Sequence, residues 1–148
     1  MDRRNFLIAG GLGSLALIVT PALAQPAAAA GPAITEQAGR PLRIRAGFLA
    51  LGLDSTDRVV ELKDVRKGTD YLPAGRSLPL VSVILGDGKQ DVPTQLKVSR
   101  RDRNVLVFSG DKATVEVKVV NHATYATLEV VGLDAAPGVD VRTLLWAR

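Results

Sequence analysis

One imidazole, a scatter of carboxylates and two knots of cations are the reactive material of this 148-residue chain. His122 is the single histidine, and as a general base it would need an orienting carboxylate and a nucleophile within reach. It follows Asn121 between two alternating apolar runs, which makes it a residue of an exposed turn tip. Cysteine is absent, so thiolate nucleophiles, thiolate zinc sites, iron–sulfur clusters and disulfides are excluded. Gly-x-Ser-x-Gly, His-Glu-x-x-His, Walker and Gly-x-Gly-x-x-Gly patterns are missing as well. Asp54, Asp57, Glu61, Asp64 and Asp70 are of the right type for the carboxylate pair of a glycoside hydrolase. Their spacing sets no two of them across a cleft, and solvated turn positions suit them better. Gly86-Asp87-Gly88-Lys89-Gln90-Asp91 holds two acids but lacks the Asp-x-Asp-x-Asp-Gly ladder of a calcium loop, and it reads as a tight turn. The expectation is no catalytic residue, no metal and no cofactor.

Binding chemistry has more to work with. Arg100, Arg101 and Arg103 surround Asp102, and Lys63, Arg66 and Lys67 form a second basic knob. Guanidinium forks suit phosphates and acidic glycans, although basic hairpin tips also serve to keep sheet edges soluble. Tyr71, Tyr125 and Trp146 could stack on sugar rings. Trp146 is expected in the core, which leaves Tyr71, Tyr125, Arg100 and Arg101 as the candidate ligand-binding residues. With Phe 3, Trp 1 and Tyr 2 the chain is too poor in aromatics for a nucleic-acid stacking platform, and no nucleic-acid partner is expected.

The elements that must position these groups read as strands. From Pro41 onward, short β-branched runs alternate with turn clusters and no stretch keeps helical periodicity. Thr114–Val120 and Ala126–Val130 alternate most clearly. With Asn121-His122 as a two-residue loop, Val115 faces Leu128 and Val117 faces Ala126. A slip of two residues would set Glu116 opposite Glu129, so the first register is expected. Leu42–Arg45 and Phe48–Leu51 flank Gly47, a candidate bulge. Further strands are expected at 58–65, at 78–85 (buried on both faces), at 92–98, at 105–108 and at 144–146, with Arg100–Asn104 as a charged hairpin tip. About seven or more strands at this spacing predict an all-β, antiparallel two-sheet sandwich over residues 41–148. The chain stops inside the last expected strand, so it is also expected to be the front portion of a longer protein.

The first 24 residues are set apart. Arg3-Arg4-Asn5-Phe6-Leu7 precedes an uncharged run to Ala24, diluted by Gly10, Gly11 and Gly13. Small residues at Ala22 and Ala24 suit a signal peptidase cutting before Gln25. The motif Arg3, Arg4, Phe6, Leu7 resembles a bacterial twin-arginine export signal. That resemblance implies a signal helix, the twin-arginine translocation machinery as a partner, folding before export, and a periplasmic or secreted location. Membrane contact is then confined to the signal before cleavage. Residues 25–40 are rich in Ala and Pro and read as a flexible linker. Removing residues 1–24 takes away Asp2, Arg3 and Arg4 and leaves a net charge of +3, too small to imply a polyanion partner from overall charge alone.

One stretch carries a family likeness. Arg58-Val59-Val60-Glu61-Leu62-Lys63-Asp64-Val65 runs into Arg66-Lys67-Gly68 and then Thr69-Asp70-Tyr71-Leu72. With Asp54–Asp57 before it and Val141–Trp146 near the exit, it resembles the opening hairpin of galactose-mutarotase-like sandwich domains. These often precede the catalytic module of secreted carbohydrate-active enzymes. The resemblance implies a non-catalytic, carbohydrate-associated accessory domain, partnered by a glycan or a C-terminal catalytic domain. The family's catalytic His and Glu have no match here. The alternative expectation is a free-standing periplasmic binding or assembly protein.

Overall fold

The computed structural model describes residues 34–147 and, as backbone alone, Ser14–Leu17. Every regular element among them is a strand. In chain order they begin with β1 (Ser14–Leu17), β2 (Ile34–Thr35), β3 (Leu42–Ala46), β4 (Leu49–Leu53) and β5 (Arg58–Asp64). Then come β6 (Thr69–Asp70), β7 (Leu78–Pro79), β8 (Val81–Leu85), β9 (Gln90–Asp91) and β10 (Gln95–Val98). The last are β11 (Val105–Ser109), β12 (Ala113–Asn121), β13 (Ala126–Ala135) and β14 (Val141–Trp146). They pair antiparallel in three sheets, with orders β1-β13-β12-β11-β10, β2-β3-β4-β5-β6 and β14-β8-β9, and β7 joins β5. The protein is therefore an all-β, sandwich-like assembly of antiparallel sheets. Of the expected signal segment, the residues around β1 lie outside the described ones, as do Arg3, Arg4, Phe6, Leu7, Ala22 and Ala24. Ile34–Thr35, inside the expected linker, is already paired with β3.

One core joins the three sheets. Ile44 and Leu53 come from the first layer, Phe108, Leu106, Val115 and Val117 from the opposing layer, and Val81 and Val83 from the small sheet. β12 shows how the pattern works: its odd positions from Ala113 to Val119 are buried while Thr114, Glu116 and Lys118 are half-exposed. β4 is buried almost throughout, and its neighbours explain why. Gly52 lies between Arg43 and Glu61 across the sheet, and their side chains close over it in a fork, Arg43 Nε to Glu61 Oε2 at 2.9 Å and Nη2 to Oε1 at 3.1 Å. A Cβ on Gly52 would stand 2.9 Å from the Glu61 Cβ, so the roof requires glycine.

Five local expectations are corrected. The β12–β13 hairpin is not closed at Asn121-His122: Asn121 faces Ala126, Val119 faces Leu128 and Val117 faces Val130, a shift of four residues. The turn is His122–Tyr125, closed by the His122 N–H donating to the Tyr125 carbonyl at 2.8 Å, with the two rings stacked 4.2 Å apart. This register sets Lys118 against Glu129 and keeps Val115, Val117 and Val119 facing inward. Gly47 is not a bulge; with φ +57° it forms a two-residue turn with Phe48, Ala46 facing Leu49. The expected 78–85 strand divides at Leu80, its first part pairing with β5 and its second with β14 and β9, and Leu78 is exposed. The 92–98 strand likewise reduces to β10, preceded by β9 and by Pro93. Trp146, expected in the core, is partly buried and packs against it from β14.

Candidate functional site

Strand registers place the charged turns of this protein at two opposite ends. At one end lies the β3–β4 turn, and beside it the β5–β6 turn, whose Val65 N–H donates to the Phe48 carbonyl at 2.9 Å. The opposing layer brings its β12–β13 turn to the same end: a Cβ on Gly47 would stand 2.6 Å from the Thr124 carbonyl oxygen. The β10–β11 tip adjoins it through the Val119 N–H, which donates to the Asn104 carbonyl at 2.7 Å. The two basic knobs that are far apart along the chain thus share one end of the molecule.

Several charges there are occupied. Arg66 lies 3.8 Å above the centroid of the Phe48 ring and pairs with Asp64 at 3.2 Å. That contact, helped by the Arg66 and Lys67 N–H groups, holds the Asp64 carboxyl below the ordinary aspartate range. Asp102 accepts from the Asn104 N–H at 2.8 Å, and Lys118 faces Glu129. Arg45, Lys67, Arg100, Arg101 and Arg103 are exposed and make no side-chain hydrogen bond or ion pair among the described residues.

Of the residues singled out from sequence, Arg100, Arg101 and Tyr125 lie at this end. One face of Tyr125 is taken up by His122. Tyr71 is exposed just beyond β6, its N–H donating to the Leu62 carbonyl at 2.8 Å, so it flanks the basic turns along the β5 edge. Arg45 and Lys67 complete the cluster. Sequence inspection leaves Arg45 out because nothing local ties it to turns of the opposing sheet.

The opposite end carries Asp54, Asp57 and Asp91 and holds a cavity of about 160 Å³, whose wall includes Glu36, Arg40, Leu42, Leu53, Asp54 and Leu96. Its carboxylates are tied up structurally. Asp54 Oδ1 accepts from the Thr56 N–H (2.8 Å), the Thr56 hydroxyl (2.8 Å) and the Arg58 N–H (3.0 Å). Burial opposes its ionisation, but these bonds outweigh it and lower its pKa. Asp57, behind it, is wholly buried at φ +72°. Its Oδ2 accepts from the Val81 N–H at 3.3 Å, while its Oδ1 has no partner. Burial pushes this carboxyl up to about 8, with the Asp54 charge adding to the effect and the Val81 and Leu80 N–H groups and Arg58 opposing it. Sealed from solvent, Asp57 cannot meet a substrate. The same end carries Asp91, whose carboxylate accepts the N–H groups of Asp111, Lys112 and Ala113 at 3.2, 2.9 and 2.9 Å. Among the described residues no group of three or more His, Asp or Glu could hold a metal ion.

This geometry and architecture define a sandwich-like all-β protein with its unpaired cations gathered at one end. No protein-family model, curated protein or solved structure matches the chain.

Proposed function

We propose that this chain is an exported, non-catalytic β-sandwich module serving as the N-terminal, carbohydrate-associated accessory part of a glycan-active enzyme. The twin-arginine-like leader supports export, and the resemblance of residues 58–72 to mutarotase-like hairpins supports the carbohydrate association. The observation that carries the reading is the division of labour among ionisable groups. Cations and Tyr71 stand free at one end, whereas Asp54, Asp57 and Asp91 are engaged or buried at the other. A pair of carboxylates for glycoside cleavage needs both members open to the sugar, and these are not. The test is to incubate the purified chain with a panel of polysaccharides and follow both retention and reducing-end release. Retention without release supports the module; release of sugar by the chain alone defeats it. Export is tested separately: an Arg3→Lys/Arg4→Lys precursor should stay in the cytoplasm, and its undiminished export would remove the twin-arginine route.

A further inference from the structure

We infer that the basic end of the sandwich is a docking surface for an anionic polysaccharide, bound across both layers at once. The inference rests on the carbohydrate-associated reading above and narrows it to acidic chains. Arg100, Arg101 and Arg103 stand on the β10–β11 tip of one layer; in the other, Arg45 stands at the end of β3 and Lys67 on the β5–β6 turn. The contact of Gly47 with the Thr124 carbonyl fastens the two layers together there, so the cations sit on one continuous rim. Packed sheets are about 10 Å apart, farther than one phosphate or carboxylate can bridge. A polymer with repeated charges can reach both rows.

The local acids do not cancel these cations. Asp64 pairs with Arg66, Asp70 faces Lys63 and Glu129 faces Lys118, while Asp102 offsets one of the three tip arginines and leaves the others in excess. Nearby, Val65 and Tyr71 are the exposed large apolar side chains, which is too little for insertion into a lipid surface. Base stacking has too small a platform, because His122 takes one face of Tyr125 and Tyr71 is the one well-exposed aromatic there among the described residues. A net charge of only +4 does not reveal this clustering, which the strand registers create.

The experiment measures binding of the 148-residue chain to polygalacturonate, with neutral dextran, single-stranded DNA and phosphatidylglycerol vesicles in parallel, at low and moderate salt. Polygalacturonate should bind best and weaken steeply with salt, as counterion release requires. Arg100→Ala/Arg101→Ala should weaken it about tenfold, and Lys67→Ala in the other layer should weaken it about threefold, since each removes anion neutralisation. Arg40→Ala/Lys112→Ala, at the opposite end, should leave it unchanged. These arginines and lysines are exposed, and matching circular dichroism spectra will establish that each variant folds. Retention of neutral dextran but not polygalacturonate would overturn this inference and leave the broader carbohydrate reading standing. Equal binding to DNA or to vesicles would overturn the polysaccharide assignment. An unaffected Lys67→Ala variant would overturn the two-layer surface.

Discussion

Asp57 is the residue on which the chemistry of this protein departs furthest from its sequence. Asp-Ser-Thr-Asp reads as a solvated acidic turn, and Asp54 behaves accordingly. Asp57 is buried by Leu80 and Val81, whose backbone amides reach it from more than twenty residues along the chain; no local pattern announces that. Only its tolerance of positive φ is legible locally, since aspartate visits that region more readily than most residues. An unfolded aspartate ionises near pH 3.9 (about the model-peptide value), whereas folded Asp57 ionises at about 8. A carboxyl raised in the folded state contributes most below the unfolded value, and the contribution is lost as pH rises toward the folded one. Stability should fall between pH 5 and 8 by up to about 1.4 kcal/mol per unit from this group. Asp54, Asp64, Asp70 and Asp87 are all lowered and act with the opposite sign, so their contribution is lost on acidification below about pH 4. Asn keeps the left-handed conformation and an acceptor for Val81, so Asp57→Asn should be more stable than the native chain at pH 8 and flat from pH 5 to 8. Thermal melts across that range decide it; a native chain equally stable at both ends contradicts the burial argument.

Elements were readable in kind more than in pairing. Alternation assigned the faces of β12 and β13 correctly, because a face repeats every second residue. For the same reason a shift of four residues left every face unchanged and went unseen. The turn decided the register, and the stacking of His122 on Tyr125 that builds it is a contact that spacing does not reveal. Gly47 is ambiguous in the same way, since a glycine at a phase change suits either a bulge or a hairpin. Gly47→Ala should cost about 2–3 kcal/mol, combining a left-handed Cβ with a clash against the Thr124 carbonyl. Asp91 ties β9 to the β11–β12 turn, a link between elements about twenty residues apart that no local spacing marks. Asp91→Ala leaves three N–H groups without their acceptor and should cost about 2–4 kcal/mol in urea unfolding. A loss below about 0.5 kcal/mol would mean that water replaces the carboxylate freely.

At the scale of the molecule, an all-β architecture followed from composition and strand spacing, but the meeting of sheets did not. Which loops share an end depends on registers and layer order, and so the basic rim was invisible as a unit. Because one core spans all three sheets, unfolding should be a single event. Val83→Ala in the small sheet should cost about 1–3 kcal/mol and shift the Trp146 fluorescence and far-ultraviolet transitions together. An earlier fluorescence transition would show that the small sheet melts alone. The buried carboxyl also bears on how folding is measured. Near neutral pH the polypeptide must capture a hydrogen ion from the medium as it folds, since Asp57 is ionised beforehand and neutral afterwards. Calorimetric heats of folding will therefore differ between phosphate and Tris by a share of the buffers' own ionisation heats, and this difference counts the ions taken up.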